Sequence, residues 1–251
     1  MSVVDDVKEL YPRLIEGDAG VVRAFAYKAT IDAPLSGKQL PPEFVSETRA
    51  WLDHHRATAQ DIHTTVTPDR VVHELLLGLD IDGDRHELPV MLVADLMSDT
   101  IRDLRIYHST WPLYGKHALR HPVMHYALRE KPAEPVGTYH KALRDGDAAA
   151  ADGVFEADGS VREPAGGEYT HAGQERTEWY RRILADGPIA LHLGTITDDG
   201  ETVVYEYVVD KWGSERITPQ AGAAAYQRGA SGKLVSARIY DDVDPPAAIA
   251  G

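Results

Sequence analysis

Apolar positions in the first half of the chain follow helical spacing at the start and strand-like spacing later. Spacings of three, four and seven residues predict helix over 3–26, interrupted near Gly17, and a second helix over 41–56. Apolar runs separated by turn residues follow, and they predict strands. These strands lie at 29–31, 61–67, 69–79, 86–97 and 101–107. Because the helices precede most of the sheet, the pattern predicts an α+β fold.

The second half of the chain repeats this order of elements. Helical spacing predicts helices over 136–155 and 174–184. The turn Asp198-Asp199-Gly200 separates two of the later apolar runs and is a good hairpin signal. Strands are predicted at 159–161, 190–197, 202–210, 214–227 and 233–240. One pattern of elements is therefore present twice.

Matching sequence segments indicate that this repetition is an internal duplication. Leu104-Arg105-Ile106-Tyr107 and Ala237-Arg238-Ile239-Tyr240 end the two predicted sheets at an offset of 133 residues (237 minus 104). Gly17 and Gly146 repeat at an offset of 129 (146 minus 17), and small loop insertions would produce the difference. The period is too long for a solenoid repeat and long enough for a small domain. We therefore expect a first domain at 1–115, a linker at 116–135 and a second domain at 136–251.

Composition and charge restrict the classes of function. The 251 residues carry a formal net charge of −14, which disfavours nucleic acid and anionic membranes as partners because both attract clustered Lys and Arg. The absence of cysteine excludes disulfides, thiol nucleophiles and thiolate metal sites. The first residues lack the basic and apolar stretches of a signal peptide, and we expect a cytoplasmic protein.

Several motifs of the second half, taken in order, resemble one known family. They are the segments 139–147 (YHKALRDGD), 161–168 (VREPAGGE) and 232–240 (GKLVSARIY), with Trp179-Tyr180 between them. They resemble the ketosteroid isomerase and SnoaL-like polyketide cyclase superfamily, which shares the cone-shaped fold of nuclear transport factor 2. The resemblance implies two tandem cone-shaped domains, each a curved antiparallel sheet wrapped by about three helices. It also implies that the copies pack as an internal pseudo-dimer, and it leaves a further homodimer open.

The same resemblance implies roles for two residues of the second copy. Glu163 stands where the isomerases of the family have their general base, and desolvation in an apolar cone makes a carboxylate more basic. Tyr139 matches the tyrosine that hydrogen-bonds the substrate oxygen. The first copy has Ala33 in place of Glu163, with Asp32 one residue earlier and on the other side of a strand. Asp32 is therefore a candidate for a differently built site, and Glu163 is alternatively a surface acid beside a turn.

Repeated polar residues on the predicted strands provide further candidates. His192 matches His63, and Glu206 matches Glu74. A histidine and a carboxylate that face each other across a cavity would form an acid–base pair suited to epoxide opening or aldol-type cyclisation. Alternatively, residues retained in both copies serve the shared fold. The family's isomerases place a further acid near the position of Gly222, and its absence here argues against steroid isomerisation.

No sequence motif indicates a metal or a cofactor. His117, His121 and His125 have helical ligand spacing, but Pro122 interrupts that helix. The sequence contains no paired-histidine zinc motif, no glycine-rich phosphate loop and no dinucleotide fingerprint. We therefore expect neither a metal nor a cofactor.

Together these observations predict a cofactor-free general acid–base enzyme that acts on a small, largely apolar, oxygenated molecule. The reaction would be an isomerisation, cyclisation, dehydration or epoxide opening, with Glu163 as the base and Tyr139 or His192 as hydrogen-bond donor. Asp32 and His63 are the candidates in the first copy. The alternative is a non-catalytic small-molecule-binding or scaffold protein. An enzyme requires an open cavity with converging ionisable groups, whereas the cones of a scaffold would be filled by side chains.

Overall fold

The computed structural model of the protein describes residues 2–124, 132–170 and 175–243. The chain forms two compact units, Met1–Ala118 and Leu119–Gly251. Each unit contains one six-stranded sheet and several helices. The expected α+β class is thereby confirmed.

The first unit starts with helices and ends with its long strands. Its first elements are α1 (Val3–Lys8), α2 (Leu10–Ile15), a 3₁₀ helix (Ala19–Ala24), β1 (Phe25–Ala33), β2 (Gly37–Gln39) and α3 (Pro41–His54). The elements that follow are β3 (Thr58–Thr67), β4 (Arg70–Ile81), β5 (Asp84–Met97), β6 (Thr100–Tyr107) and α4 (Trp111–Tyr114).

The second unit has the same succession of elements. Its first elements are α5 (Val136–Asp145), α6 (Ala148–Gly153), β7 (Phe155–Arg162), β8 (Glu168–Tyr169) and α7 (Glu175–Ile183). Its long strands are β9 (Ile189–Asp198), β10 (Thr202–Trp212), β11 (Glu215–Arg228) and β12 (Leu234–Asp241). The strand order is β2-β1-β6-β5-β4-β3 in the first sheet and β8-β7-β12-β11-β10-β9 in the second. Each strand thus has a counterpart in the other sheet, as a tandem duplication predicts.

Both sheets are mainly antiparallel, as the resemblance implies, and each contains one parallel pair of strands. β1 runs parallel to β6, with Ile31 opposite Leu104, and β7 runs parallel to β12, with Val161 opposite Ala237. The other strand pairs are antiparallel. The last strand of each unit returns beside the first after a helix and four further strands, and so long a connection permits parallel pairing.

The helices that precede each sheet are shorter than the predicted 3–26 and 136–155. Gly17 and Gly146 have positive φ angles of 84° and 71°, which end a helical stretch at low steric cost. The side chains of Asp18 and Asp147 then cap the next helix. Strands begin at Phe25 and Phe155, so residues that fitted a helical period belong to β1 and β7 instead.

The two units have different interiors despite their shared strand order. The core of the first unit is mainly aliphatic, and its fully buried members include Leu10, Leu14, Leu52, Leu75, Val90 and Leu92. The core of the second unit is rich in aromatic rings, including Phe155 and Trp179. It also contains five buried tyrosines, which we call the tyrosine cluster: Tyr139, Tyr180, Tyr205, Tyr207 and Tyr226.

Candidate active site of the second unit

The tyrosine cluster comes from four elements that converge inside the second unit. Tyr139 lies on α5, Tyr180 on α7 and Tyr226 on β11, and β10 contributes the other two. Alternation along β10 places Tyr205 and Tyr207 on one face, together with Val203. All five tyrosines are at most 4% exposed. The interior of this unit therefore holds hydroxyl groups in an apolar surrounding.

Hydrogen bonds connect the deepest members of the cluster. The hydroxyl of Tyr180 donates to that of Tyr139 at 3.2 Å. The imidazole Nε2 of His140 lies 2.9 Å from the hydroxyl of Tyr226. Burial raises the pKa of Tyr139 to about 12, although the hydrogen bond from Tyr180 opposes the rise. Burial, with a smaller contribution from the charge of Arg144, lowers the pKa of His140 to about 3. At neutral pH the site thus contains neutral phenols and a neutral imidazole.

A carboxylate also belongs to this region. Asp241, at the end of β12, is half-buried, and its Oδ2 accepts a hydrogen bond of 2.7 Å from the Tyr207 hydroxyl. Gly222 lies directly opposite both residues in the sheet. A Cβ at this position would come within 2.6 Å of the Tyr207 ring and 2.7 Å of the Asp241 Cβ. Only a glycine therefore leaves room for this pair.

The predicted base, Glu163, is half-buried directly after β7. Its Oε2 accepts a hydrogen bond of 3.0 Å from Nε1 of Trp179, and its Oε1 accepts one of 3.2 Å from the hydroxyl of Tyr169. Backbone hydrogen bonds of 2.9 and 3.0 Å with Gly167 and Gly166 close a tight turn around it. A Cβ at Gly167 would lie 2.5 Å from Oε1, so a larger residue there would displace the Glu163 carboxylate. The carboxylate is thus held in one orientation.

An open pocket of about 500 Å³ lies beside Glu163. Tyr169 and Trp179, the two residues that bind the Glu163 carboxylate, form part of its wall. The pocket is lined by Glu168, Tyr169, Glu175, Glu178, Trp179 and Arg182. Trp179 also packs edge-on against Tyr180, whose hydroxyl bonds to Tyr139. A continuous series of contacts therefore leads from Glu163 to the tyrosine cluster, but the structure shows no direct contact between Glu163 and Tyr139.

His192 lies apart from these groups. Its side chain on β9 is 53% exposed, and its Nε2 lies 2.8 Å from Oδ1 of Asp210. Glu206, on the neighbouring strand, is buried and accepts a hydrogen bond of 2.5 Å from Thr195. The predicted arrangement of His192 as a donor beside Tyr139 thus has no geometric support.

The candidates of the first unit are also separated from its core. Ile31 and Ala33 point into the core, so Asp32 between them faces the opposite side of the sheet. His63 is half-buried on β3, opposite Glu74. A fully buried histidine, His73, faces the core instead.

His73 has two polar neighbours, although the sequence did not single it out as a leading site residue. Its Nδ1 lies 3.0 Å from Oγ1 of Thr64, and its Nε2 lies 3.5 Å from a carboxylate oxygen of Asp61. Burial lowers the pKa of His73, although the charge of Asp61 opposes this. His73 is thus a neutral, buried polar residue in an otherwise aliphatic core.

The described part of the chain contains neither a cluster of metal ligands nor a membrane-spanning helix. No group of three or more His, Asp or Glu side chains in residues 2–124, 132–170 and 175–243 is arranged to hold a metal ion. His117 stacks on Trp111 and His121 is exposed, while His125 lies outside the described residues. None of the helices in these ranges is long and apolar enough to cross a membrane.

Comparisons with known proteins find similarity only among solved structures. No protein-family model matches the sequence, and no curated protein matches it. A ketosteroid isomerase-like protein from Catenulispora acidiphila, solved with trimethylamine, is 15% identical, with a TM-score of 0.39 over 45% of this chain and 89% of that protein. A SnoaL-like protein from Jannaschia sp. CCS1, named as a polyketide cyclase, is 17% identical, with a TM-score of 0.37 over 42% of this chain and 83% of its own.

A protein from Xanthomonas campestris pv. campestris, also named as a polyketide cyclase, is similar to this chain to the same extent. It is 17% identical, with a TM-score of 0.38 over 44% of this chain and 93% of its own. The solved structures thus belong to the group that the sequence motifs resemble. They concern the fold and assign no substrate or reaction to this chain.

Proposed function

We propose that the second unit is a cofactor-free general acid–base enzyme that acts on a small, largely apolar, oxygenated molecule. The reaction is an isomerisation, cyclisation, dehydration or epoxide opening. The observation that carries this proposal is the contrast between the two interiors. The units share their strand order, yet the core of the first is mainly aliphatic, whereas the second contains five buried tyrosines, one bonded to His140 and one to the carboxylate of Asp241. Buried polar groups stabilise a fold less than aliphatic side chains do, so their concentration in one copy favours a chemical role.

The buried phenols are the hydrogen-bond donors that would stabilise negative charge on a substrate oxygen. Tyr139 accepts a hydrogen bond from Tyr180, so its own proton is available for a second acceptor such as a substrate oxygen. In an apolar surrounding this hydrogen bond strengthens as negative charge develops on that oxygen. Burial holds the pKa of Tyr139 at about 12, so the phenol stays protonated at neutral pH. The sequence resemblance assigns the proton-accepting role to the carboxylate of Glu163.

The alternative is a non-catalytic small-molecule-binding protein. It is supported by the occupation of both interiors by side chains and by the two hydrogen bonds that already engage the Glu163 carboxylate. In that case the pocket beside Glu163 would hold a ligand without reacting with it. The two functions differ in whether bound ligand exchanges protons with solvent.

Proton exchange on an enolisable ketone distinguishes these functions. We would incubate 2-tetralone with the protein in D₂O and follow the loss of its α-proton signals by NMR. We expect exchange faster than in buffer, and a loss of about a hundredfold in the protein-dependent rate for Tyr139→Phe, as for removal of an oxyanion donor. Tyr11→Phe is the matched control, because Tyr11 is an equally buried tyrosine of the first unit. Binding of 2-tetralone without accelerated exchange would favour the alternative.

A further inference from the structure

The Asp241–Tyr207 pair occupies space that the first unit fills with aliphatic side chains. Matching the strand registers places Tyr207 where the first unit has Leu75, and Gly222 where it has Val90. Continuing the repeat Tyr107/Tyr240 by one residue places Asp241 where the first unit has His108. A residue larger than glycine at 222 would exclude the pair, because its Cβ would clash with both side chains. These three differences are therefore linked.

Asp241 acts electrostatically on the tyrosine cluster as well as on its direct partner. Burial raises the pKa of Tyr207 and of Tyr226 well above the usual value, and the negative charge of Asp241 raises both further. The same charge contributes to the raised pKa of Tyr139. Asp241 therefore touches one member of the cluster directly and acts on two others through its charge. Glu163, by contrast, is separated from Tyr139 by Trp179 and Tyr180.

We propose that Asp241 is the catalytic base of the second unit and that Tyr207 positions it. This inference rests on the proposed function and assigns its proton transfer to a different residue from Glu163. Asp241 removes a proton from a carbon next to a substrate carbonyl. The C–H bond breaks, its electron pair forms the C=C bond of an enolate, and the proton binds to the Asp241 carboxylate. A phenol of the cluster, Tyr139, donates a hydrogen bond to the enolate oxygen, and Asp241 then returns the proton to carbon.

The substrate class follows from these groups. The molecule has an acidic C–H next to a carbonyl group, and the rest of its surface is apolar, because the cluster consists of aromatic rings. A half-buried position lets Asp241 face both the cluster and the approach from solvent.

The test compares two carboxylates in the same assay. The protein-dependent exchange of 2-tetralone protons is measured for wild type, Asp241→Asn and Glu163→Gln, with Asp198→Asn as the control for loss of a carboxylate elsewhere. Asp198 pairs with Arg228, and Tyr205 is the cluster member on which its charge acts. We expect Asp241→Asn to lose at least about a hundredfold, the usual effect of removing a general base, and to lose more than Glu163→Gln does, while Asp198→Asn retains the rate. Circular dichroism and the urea midpoint establish that each variant is folded.

Tyr207→Phe tests positioning separately from folding. The Tyr207 hydroxyl stabilises the charged form of Asp241, so its removal makes the carboxylate more basic. The acid limb of the pH–rate profile should therefore move to higher pH in Tyr207→Phe. A lower rate with an unchanged acid limb would show that Tyr207 has a structural role only.

A binding measurement tests the position of Asp241 without requiring catalytic activity. 2-Naphthol resembles the enolate of 2-tetralone, and the charge of Asp241 opposes partial negative charge on its oxygen. Asp241→Asn should therefore bind 2-naphthol about tenfold more tightly than wild type, measured by naphthol fluorescence. Unchanged affinity would overturn the inference, even if wild type proves inactive on the ketone.

The outcomes separate the two proposals. If wild type accelerates exchange and Glu163→Gln, but not Asp241→Asn, abolishes it, Asp241 is not the base and the proposed function stands. If wild type does not accelerate exchange, the proposed function fails, and a tightened 2-naphthol complex in Asp241→Asn would still place Asp241 at the ligand.

Discussion

Arg176 should be one of the most important residues for the stability of the second unit. It lies on α7, is 1% exposed and carries its charge in the protein interior. Its Nε donates to Oδ1 of Asp152 at 2.6 Å, and its NH1 donates to the carbonyl oxygens of Glu156 and Gly159. The guanidinium also lies over the ring of Phe155, 4.6 Å from its centroid. Arg176 therefore joins α7 to α6 and to the irregular start of β7.

The cost of removing this side chain can be worked out from these contacts. Arg176→Ala leaves Asp152 with a side chain only 17% exposed and without its cationic partner. Breaking a buried ion pair from one side typically costs about 3–5 kcal/mol, because the remaining charge stays desolvated. The loss of the ring contact and of two carbonyl hydrogen bonds acts in the same direction. We therefore expect the free energy of unfolding of this unit to fall by about 4 kcal/mol.

Urea denaturation followed by tryptophan fluorescence measures this effect. Replacing Trp51 and Trp111 of the first unit by Phe leaves only Trp179 and Trp212, which report on the second unit. With a urea dependence of about 2 kcal/mol per M, Arg176→Ala should lower the midpoint by about 2 M.

Arg181→Ala provides the matched control on the same helix. Arg181 pairs with Glu178, and the two side chains are 60% and 66% exposed. A solvent-exposed pair contributes at most about 1 kcal/mol, so the midpoint should change little. Equal midpoints for the two variants would refute the reasoning, because they would show that the buried guanidinium contributes no more than an exposed one.

Three further predictions follow from the same structure. Gly222→Ala should displace Tyr207 and lower the urea midpoint of the second unit, and an unchanged midpoint would contradict the close contact. Burial lowers the pKa of His140 from 6.5 to about 3, so between these pH values the unfolded chain binds a proton that the folded chain does not. The free energy of unfolding should therefore decrease as the pH falls below about 6.5, by up to about 4 kcal/mol near pH 3. His140→Gln should lose this pH dependence, measured by denaturation at pH 5 and pH 7.5. Burial alone would raise the pKa of Asp95, but hydrogen bonds and charges from Arg105 and Arg70 lower it to about 2. The ionised Asp95 therefore contributes to the stability of the first unit above pH 4, and this contribution is lost as the pH falls toward 2. Asp95→Asn should destabilise the first unit at pH 7 and have much less effect at pH 2.

The sequence predicted the large-scale organisation well because that organisation depends on long, repeated patterns. Helical and strand spacings recur over many residues, and the repeats at Tyr107 and Tyr240 end equivalent strands. The parallel pairing of β1 with β6 was missed because it depends on how a distant strand returns, which local periodicity does not encode. Short strands such as β2, of three residues, are too brief to show a period.

The candidate site was harder to predict because its geometry depends on side chains far apart in sequence. Glu163 and Tyr139 were identified by resemblance, and the structure gives each a defined environment. Asp241 was missed, although the sequence offered a signal in its difference from His108 at the end of a repeated segment. Arg176 offered no signal, because a charged residue on a helix is normally exposed.

The pattern of divergence between the copies separates structural from chemical roles. Arg105 and Arg238 are both buried, and Tyr107 and Tyr240 both lie at or next to the end of the last strand. These repeated residues therefore serve a framework common to the two units. Some interior residues differ instead, since Tyr207 occupies the place of Leu75.

A fold selected for stability alone would keep the aliphatic interior, because a buried hydroxyl must find a hydrogen-bond partner. The second unit links four of the five hydroxyls of the tyrosine cluster to one another, to His140 or to Asp241. General acid–base chemistry needs proton donors and proton acceptors in one place, and here the phenols are the donors and the Asp241 carboxylate is the acceptor. The first unit has the same strand order and a mainly aliphatic core, so we expect it to lack that chemistry.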